Sequence, residues 1–240
     1  MESLHWTYCV PPNDAALQQG DIIRPNSELK EVLGQVHPHF NDVKYVAYLI
    51  TTQSCDLVCR KGKPCATKYI NIAVVRELSS VVFDLLETVC KTDYKGVYPK
   101  EKKGDAKNLL ERIINQNEQG LGLFYLHNQA KFGYATNAVA MLRVTIALRR
   151  DHYDLLLRSR TGALVPAFQA KLGWLVGNLY SRVGTEDWTE EERPKQLRAI
   201  IKEIFETQVF GDSIQWFPQD TLAAVLEGQP DITREALIQA

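Results

Sequence analysis

The sequence predicts an α+β fold: a small, mostly antiparallel β-barrel with inserted helices, a long closing helix and an acidic helical C-terminal tail. Three observations predict it. β-branched and aromatic runs recur at residues 21–24, 45–51, 69–75, 121–126 and 139–148, without the regular βαβ alternation of a doubly wound sheet. Residues 165–183 carry one sustained helical stripe. The charge is divided: from Glu186 onward there are 12 acidic and 5 basic side chains, a balance of −7, which leaves +6 before it out of totals of 28 basic and 29 acidic.

In the opening segment, Pro11-Pro12 stops a strand begun over Trp6–Val10, and Asn13 or Asp14 is placed to cap a short helix through Gln19. Gly20 ends that helix, Asp21-Ile22-Ile23 starts a strand, and Pro25 breaks it. Ser27 then caps a turn or two of helix bearing Leu29, Val32 and Leu33, and a polar loop follows with His37 and His39. Tyr45–Thr51 is nearly continuous in apolarity, the pattern of a strand buried on both faces. Tyr69–Val75 is the next strand. The 17 residues between the two exceed what a hairpin needs, and long loops inside compact domains tend to carry function.

Glu77–Cys90 repeats apolar residues at helical spacing, and a basic loop follows from Lys91 to Asp105. Asp105 opens a helix through Asn117 with Leu109, Leu110, Ile113 and Ile114 inward. Strand patterns return at Leu121–Leu126 and Val139–Leu148, with a further strand over Tyr153–Leu157 before Gly162 punctuates the chain. Val165–Val183 has the inner stripe Phe168, Leu172, Leu175, Val176 and Leu179, and Gly173 and Gly177 beside Trp174 imply the close approach of another element. Gly184 and Arg182 suit its C-terminus. Thr189 and Glu192 then form a capping box for a helix to about Phe210, Trp216 and Phe217 dock onto the body, and short helices start at Asp220 and Asp231. Two units are expected: a barrel domain over 1–183 and a helical extension over 184–240.

With 45% hydrophobic and 24% charged residues, the composition is that of a globular protein able to bury a core without metal or disulfide staples. No apolar run approaches the roughly 20 residues needed to span a bilayer, and MESLHWTYC has no signal-like pattern, so a cytoplasmic location with no membrane partner is expected. The five cysteines are then free thiols or metal ligands. Walker, Rossmann, HExxH and G-x-S-x-G patterns are absent, which argues against the common nucleotide, metalloprotease and hydrolase classes.

Candidate chemistry concentrates in residues 51–68. Thr51, Thr52, Gln53 and Ser54 put four hydrogen-bonding side chains at one strand end, where they can orient a ligand or merely satisfy the turn. Cys55 with Asp56 lies beside Arg60, Lys61, Lys63 and Lys68, cations that lower a thiol pKa and sharpen its nucleophilicity; the plainer reading is a small buried cysteine followed by an Asx-type turn. Cys55, Cys59 and Cys65, completed by His37 or His39, form a possible zinc set, although the spacing lacks the paired C-x2-C knuckle; otherwise no cofactor is expected. Further cations cluster at 91–107 and as Arg143, Arg149, Arg150, Arg158 and Arg160, with Tyr94, Tyr98, Tyr134 and Tyr153 interleaved, which fits a nucleic-acid surface or solvated loops.

Gly20-Asp21-Ile22-Ile23, followed by Thr52-Gln53-Ser54-Cys55-Asp56-Leu57, resembles bacterial proteins with a "GDI … sQxCDl" pattern, and the Val139-Ala140-Met141-Leu142-Arg143 strand and the closing helix fit the same likeness. Such proteins are similar to the SH3-like barrels of the MazF/PemK toxin group and are associated with antiphage defence loci. The inserted helices at 77–117 depart from a compact toxin, so the resemblance carries over no catalytic residue. With the polar strand end and the basic clusters it leads to the expectation of a non-catalytic component of a bacterial defence or regulatory system that binds nucleic acid, a protein partner or both, through Thr52, Gln53, Ser54, Cys55, Asp56, Arg60, Lys61, Lys63 and Arg143. The alternative it implies is an endoribonuclease-like toxin acting through the 51–68 loop.

Overall fold

The computed structural model describes residues 4–60, 63–90, 100–116 and 120–181, with a few isolated tail positions. The chain divides into two units, 1–182 and 183–240. The acidic tail, the cations of 91–99, Lys61 and Arg182 lie outside the described residues.

The first unit is built on seven antiparallel strands: β1 (Tyr8–Cys9), β2 (Asp21–Ile23), β3 (Ala47–Ile50), β4 (Tyr69–Glu77), β5 (Leu123–Leu126), β6 (Ala138–Arg149) and β7 (Arg160–Leu164). Their order across the sheet is β1-β7-β2-β3-β4-β6-β5. The sheet curls into a half-barrel. Alternation assigns each side chain to a face. Ala47, Leu49, Ala73, Val75, Ala138 and Ala140 point to one cluster, and Tyr48, Ile50, Ile70, Ile72 and Val74 to another. The small residues of the first set leave room for the helix α6 (Pro166–Tyr180), whose Leu172, Leu175 and Leu179 fill that face. On the other face lie Leu29 and Leu33 of α1 (Ser27–Val36), Leu57 of α2 (Ser54–Leu57), and Leu155 and Leu156 of α5 (Tyr153–Ser159). Helices α3 (Leu78–Cys90) and α4 (Lys103–Ile114) pack beside β5 and β6 through Val81, Leu109 and Ile113. As the continuous apolarity of its stretch predicts, β3 is buried on both faces.

Five expectations need correction. Tyr153–Leu157 is helical: the short apolar run has no period that separates strand from helix, and Ser159 Oγ donates back to the Leu155 carbonyl. Residues 13–19 form no helix, because the carbonyls of Pro12, Ala15 and Ala16 accept from the Arg160 side chain and Leu17 N–H donates to the Tyr153 hydroxyl. α1 runs ten residues, and its cap is Asn26, which accepts from Leu29 N–H at 2.8 Å, rather than Ser27. Gly162 does not punctuate; it sits within β7 under the ring of Phe132. The close approach expected at the closing helix occurs at Gly173, where a Cβ would meet Gln19 Oε1 at 2.9 Å, and not at Gly177, which faces open space.

The edge strands β1 and β5 are drawn together across the curl. Tyr8 donates its hydroxyl to the His127 carbonyl at 2.7 Å, Tyr134 donates to Tyr8 at 3.1 Å, and the His5 ring stacks on His127 with centroids 3.8 Å apart. Burial, then the neighbouring His127, holds His5 below the ordinary imidazole value of 6.5. The unfolded chain therefore takes up this proton first, so the contact contributes fully above pH 6.5 and less as the pH falls below it. Acidifying from about pH 7.5 to about 5.5 is expected to loosen the seam and change the Trp6 fluorescence, an effect that His5→Phe removes. A signal that is flat with pH in the parent chain would contradict this.

Candidate functional site

One end of the sheet gathers the turn after β3, the start of β4 and the end of β6. The turn is fastened from several sides. Asn71 N–H donates to Thr52 Oγ1 at 2.7 Å, Thr51 Oγ1 donates to the Asn71 carbonyl at 3.2 Å, and Gln19 reaches across with Nε2 to the Thr51 carbonyl and its own N–H to Ser54 Oγ. Thr51 and Thr52 are thereby buried. Leu57 anchors the short helix in the core, and Thr67 N–H closes the loop onto the Asp56 carbonyl. Of the polar residues singled out in the sequence, Thr51, Thr52 and Ser54 are spent on the turn, while Gln53, Cys55 and Asp56 are exposed.

The register of β4 on β6 then assembles cations far apart in the chain. Tyr69 lies opposite Arg149, and Arg150 N–H donates to the Lys68 carbonyl at 3.0 Å. Arg150 Nη1 also reaches the Cys65 carbonyl at 3.4 Å, while Arg60 and Lys63 face each other across a small bridge. A cavity of about 490 Å³ opens beside Lys63, lined also by Cys59, Pro64, Cys65, Arg150, Asp151, Tyr153 and Asp154. An adjoining hollow of about 180 Å³ is lined by Lys68, Tyr69, Arg149, Arg150 and Asp151. The Arg149 side chain is 74% exposed and Asp151 pairs with it at 3.0 Å, a weak surface contact; across both hollows Lys63, Lys68, Arg149 and Arg150 outweigh Asp151 and Asp154, four cations to two carboxylates. Tyr69 is 55% exposed.

The sequence names Lys68, Arg149, Arg150 and Tyr153 only within separate clusters. What unites them is the strand pairing, which no local pattern displays. Arg143, by contrast, belongs elsewhere. It lies six residues before Arg149 on the same strand, roughly 20 Å at strand rise, where the pairing with β4 jumps from Met141 to Thr145, and its guanidinium donates to the Gly120 carbonyl at 3.2 Å. Arg158 pairs with Glu28 at 3.2 Å, and Arg160 is an interior residue bonded to Asp21.

The proposed zinc set is not brought together. His37 and His39 sit in the turn before β3 and the cysteines after it; His39 Nε2 is hydrogen-bonded to the Tyr45 hydroxyl at 2.7 Å. Cys65 is buried while Cys55 and Cys59 are exposed. Burial, followed by the nearby Cys59, pushes the Cys65 thiol up rather than down. Among the described residues no three His, Cys, Asp or Glu side chains form a metal-sized group. Nor is any described helix long and apolar enough to cross a membrane.

Comparison with family models, curated proteins and solved structures gives no match.

Proposed function

We propose that this chain binds nucleic acid through the basic end of its sheet, as a binding component without catalysis of its own. The observation that carries the reading is the convergence of Lys68, Arg149 and Arg150 around the exposed ring of Tyr69, with Lys63 lining the adjoining cavity that Arg150 shares. Guanidinium and ammonium groups neutralise phosphates, and an exposed aromatic ring offers a stacking face to an unpaired base. The fastened turn supports this use, because a rigid loop loses little freedom on binding. The resemblance of the GDI and QSCDL motifs to bacterial proteins associated with defence loci supports a defence or regulatory setting.

Labelled single-stranded RNA, single-stranded DNA and duplex DNA, titrated at several salt concentrations, test the reading. With about four phosphates neutralised, log K against log salt should fall with a slope of about −3 on single strands, at about −0.7 per phosphate. The combined variant Lys68→Ala, Arg149→Ala, Arg150→Ala should bind at least about tenfold more weakly and lose about two units of slope. Equal slopes in parent and variant would reject the patch. Probe cleavage abolished by changes in residues 51–68 would replace the reading with the endoribonuclease one.

A further inference from the structure

A second cavity, of about 330 Å³, opens where the seam between β1 and β5 meets the end of α4 and the start of α6. One wall is the indole of Trp6, 71% exposed and edge-on to Phe168 at 5.2 Å. Ile114 and Leu164 contribute apolar surface, and Asn115 and Gln116 supply amides. The stacked imidazoles complete it. Each spends its Nδ1 locally, His5 on Thr7 Oγ1 at 2.8 Å and His127 on the Tyr125 hydroxyl at 3.2 Å, and neither Nε2 is hydrogen-bonded among the described residues.

None of the ten lining residues is Asp, Glu, Lys or Arg. With only the two imidazoles among the ten able to carry charge, a flat ring with donors and acceptors on its edge would find a stacking face and polar tips there. The turn that presents Trp6 is held in place: Tyr8 N–H donates to the His5 carbonyl and Val165 N–H to the Thr7 carbonyl, both at 3.0 Å. Gln116 has a left-handed backbone, with φ of 55°, which a side chain tolerates only where it is held. Its amide donates to the Tyr125 carbonyl at 3.2 Å, so this buried side chain is fixed rather than free to swing. The volume lies within the range of small-molecule sites. We propose that this cavity binds a neutral planar nitrogen heterocycle of nucleobase size, with the ring on Trp6 and its polar edge toward Gln116 and the two histidines. The site is separate from the basic patch: His127 follows the Leu126–Ala138 end of the β5–β6 pair, whereas Arg149 closes the opposite end of β6.

The full chain would be titrated separately with adenosine and with guanosine, followed by calorimetry and by tryptophan fluorescence. One saturable site for at least one nucleoside is expected. Trp6→Ala should weaken it about tenfold or more, the usual loss when a base loses its aromatic partner, and Trp6→Phe should restore most of it. Because Trp6 is exposed, the alanine variant should melt like the parent; His127→Gln, which keeps a polar group, should weaken binding as well. The Lys68, Arg149, Arg150 variant should bind nucleosides as the parent does, which marks the ligand as one taken up free. Nucleoside binding that weakens only in the patch variant would overturn the site and assign the base to the patch. Absence of saturation with either nucleoside at millimolar concentration, or binding unchanged in Trp6→Ala, would also overturn it.

Discussion

Replacing Arg160 with methionine is expected to lower the stability of the first unit by about 3–5 kcal/mol, the usual cost of breaking a buried ion pair from one side. Arg160 is 5% exposed in its side chain and Asp21 1%, and they meet at 3.1 Å. The same guanidinium donates to the carbonyls of Pro12, Ala15 and Ala16 at 2.9–3.1 Å. One side chain thus satisfies a carboxylate and the backbone of a segment that has no secondary structure of its own. Methionine fills similar space but leaves a buried charge and three acceptors without their donor. Urea unfolding read by circular dichroism would show the loss as a lower midpoint at an unchanged slope. A change below about 1 kcal/mol would mean that water replaces the guanidinium freely. Adding Asp21→Leu to the methionine variant should recover part of the loss, since a pair removed together leaves no orphaned charge.

The pH dependence of this pair has a definite sign. Burial raises the Asp21 carboxyl to about 6, outweighing the Gln18 N–H and Arg160, which both pull it down. The folded chain therefore holds this proton between pH 3.8 and about 6, while the unfolded chain does not. The contribution is full below pH 3.8 and is lost as the pH rises through about 6, with a slope of at most about 1.4 kcal/mol per unit. In Asp21→Asn that slope should be missing from the difference between variant and parent.

Asp21 also shows what the sequence could and could not display. The Gly20-Asp21-Ile22-Ile23 stretch is legible as a strand start, and the strands expected at 45–51, 69–75 and 139–148 and the helix expected at 77–90 appear close to where the pattern places them, as does the closing helix over its described part, Pro166–Tyr180. Periodicity reports which face is buried, and these elements are decided by burial. Residues 13–19 are decided instead by a distant arginine, and β7 by the ring of Phe132 lying over a glycine, so local pattern misleads at both. The candidate site divides in the same way. The 51–68 loop stands out by its length and cations, but Arg149 and Arg150 join it only through a strand pairing some 80 residues away in the chain. The seam cavity had no signal at all, because His5 and His127 are single histidines in separate, unremarkable stretches.

Gly162→Ala should be nearly as damaging as the loss of Arg160, at about 3 kcal/mol, the upper part of the range for overpacked cores. The backbone of Gly162 needs no left-handed conformation; what it needs is the absence of a side chain. A Cβ built there falls under 3.0 Å from three carbons of the Phe132 ring. Phe132 is fully buried and stands edge-on to Tyr8 at 5.2 Å, in the cluster that also holds Leu172, Leu175 and Leu179 of α6. It cannot swing into solvent, so either the ring takes a poor rotamer or β7 moves off its neighbours β1 and β2. Since β1 carries Tyr8 and the turn bearing His5, movement of β7 should also weaken the seam with His127. Thermal unfolding of Gly162→Ala, Phe132→Leu and the double variant separates the causes. If the clash is with the ring, the double variant should be more stable than the two losses predict, by an interaction energy of about 1–3 kcal/mol. Simple additivity would place the strain in the β7 backbone instead and remove Phe132 as the reason a glycine occupies the middle of a strand.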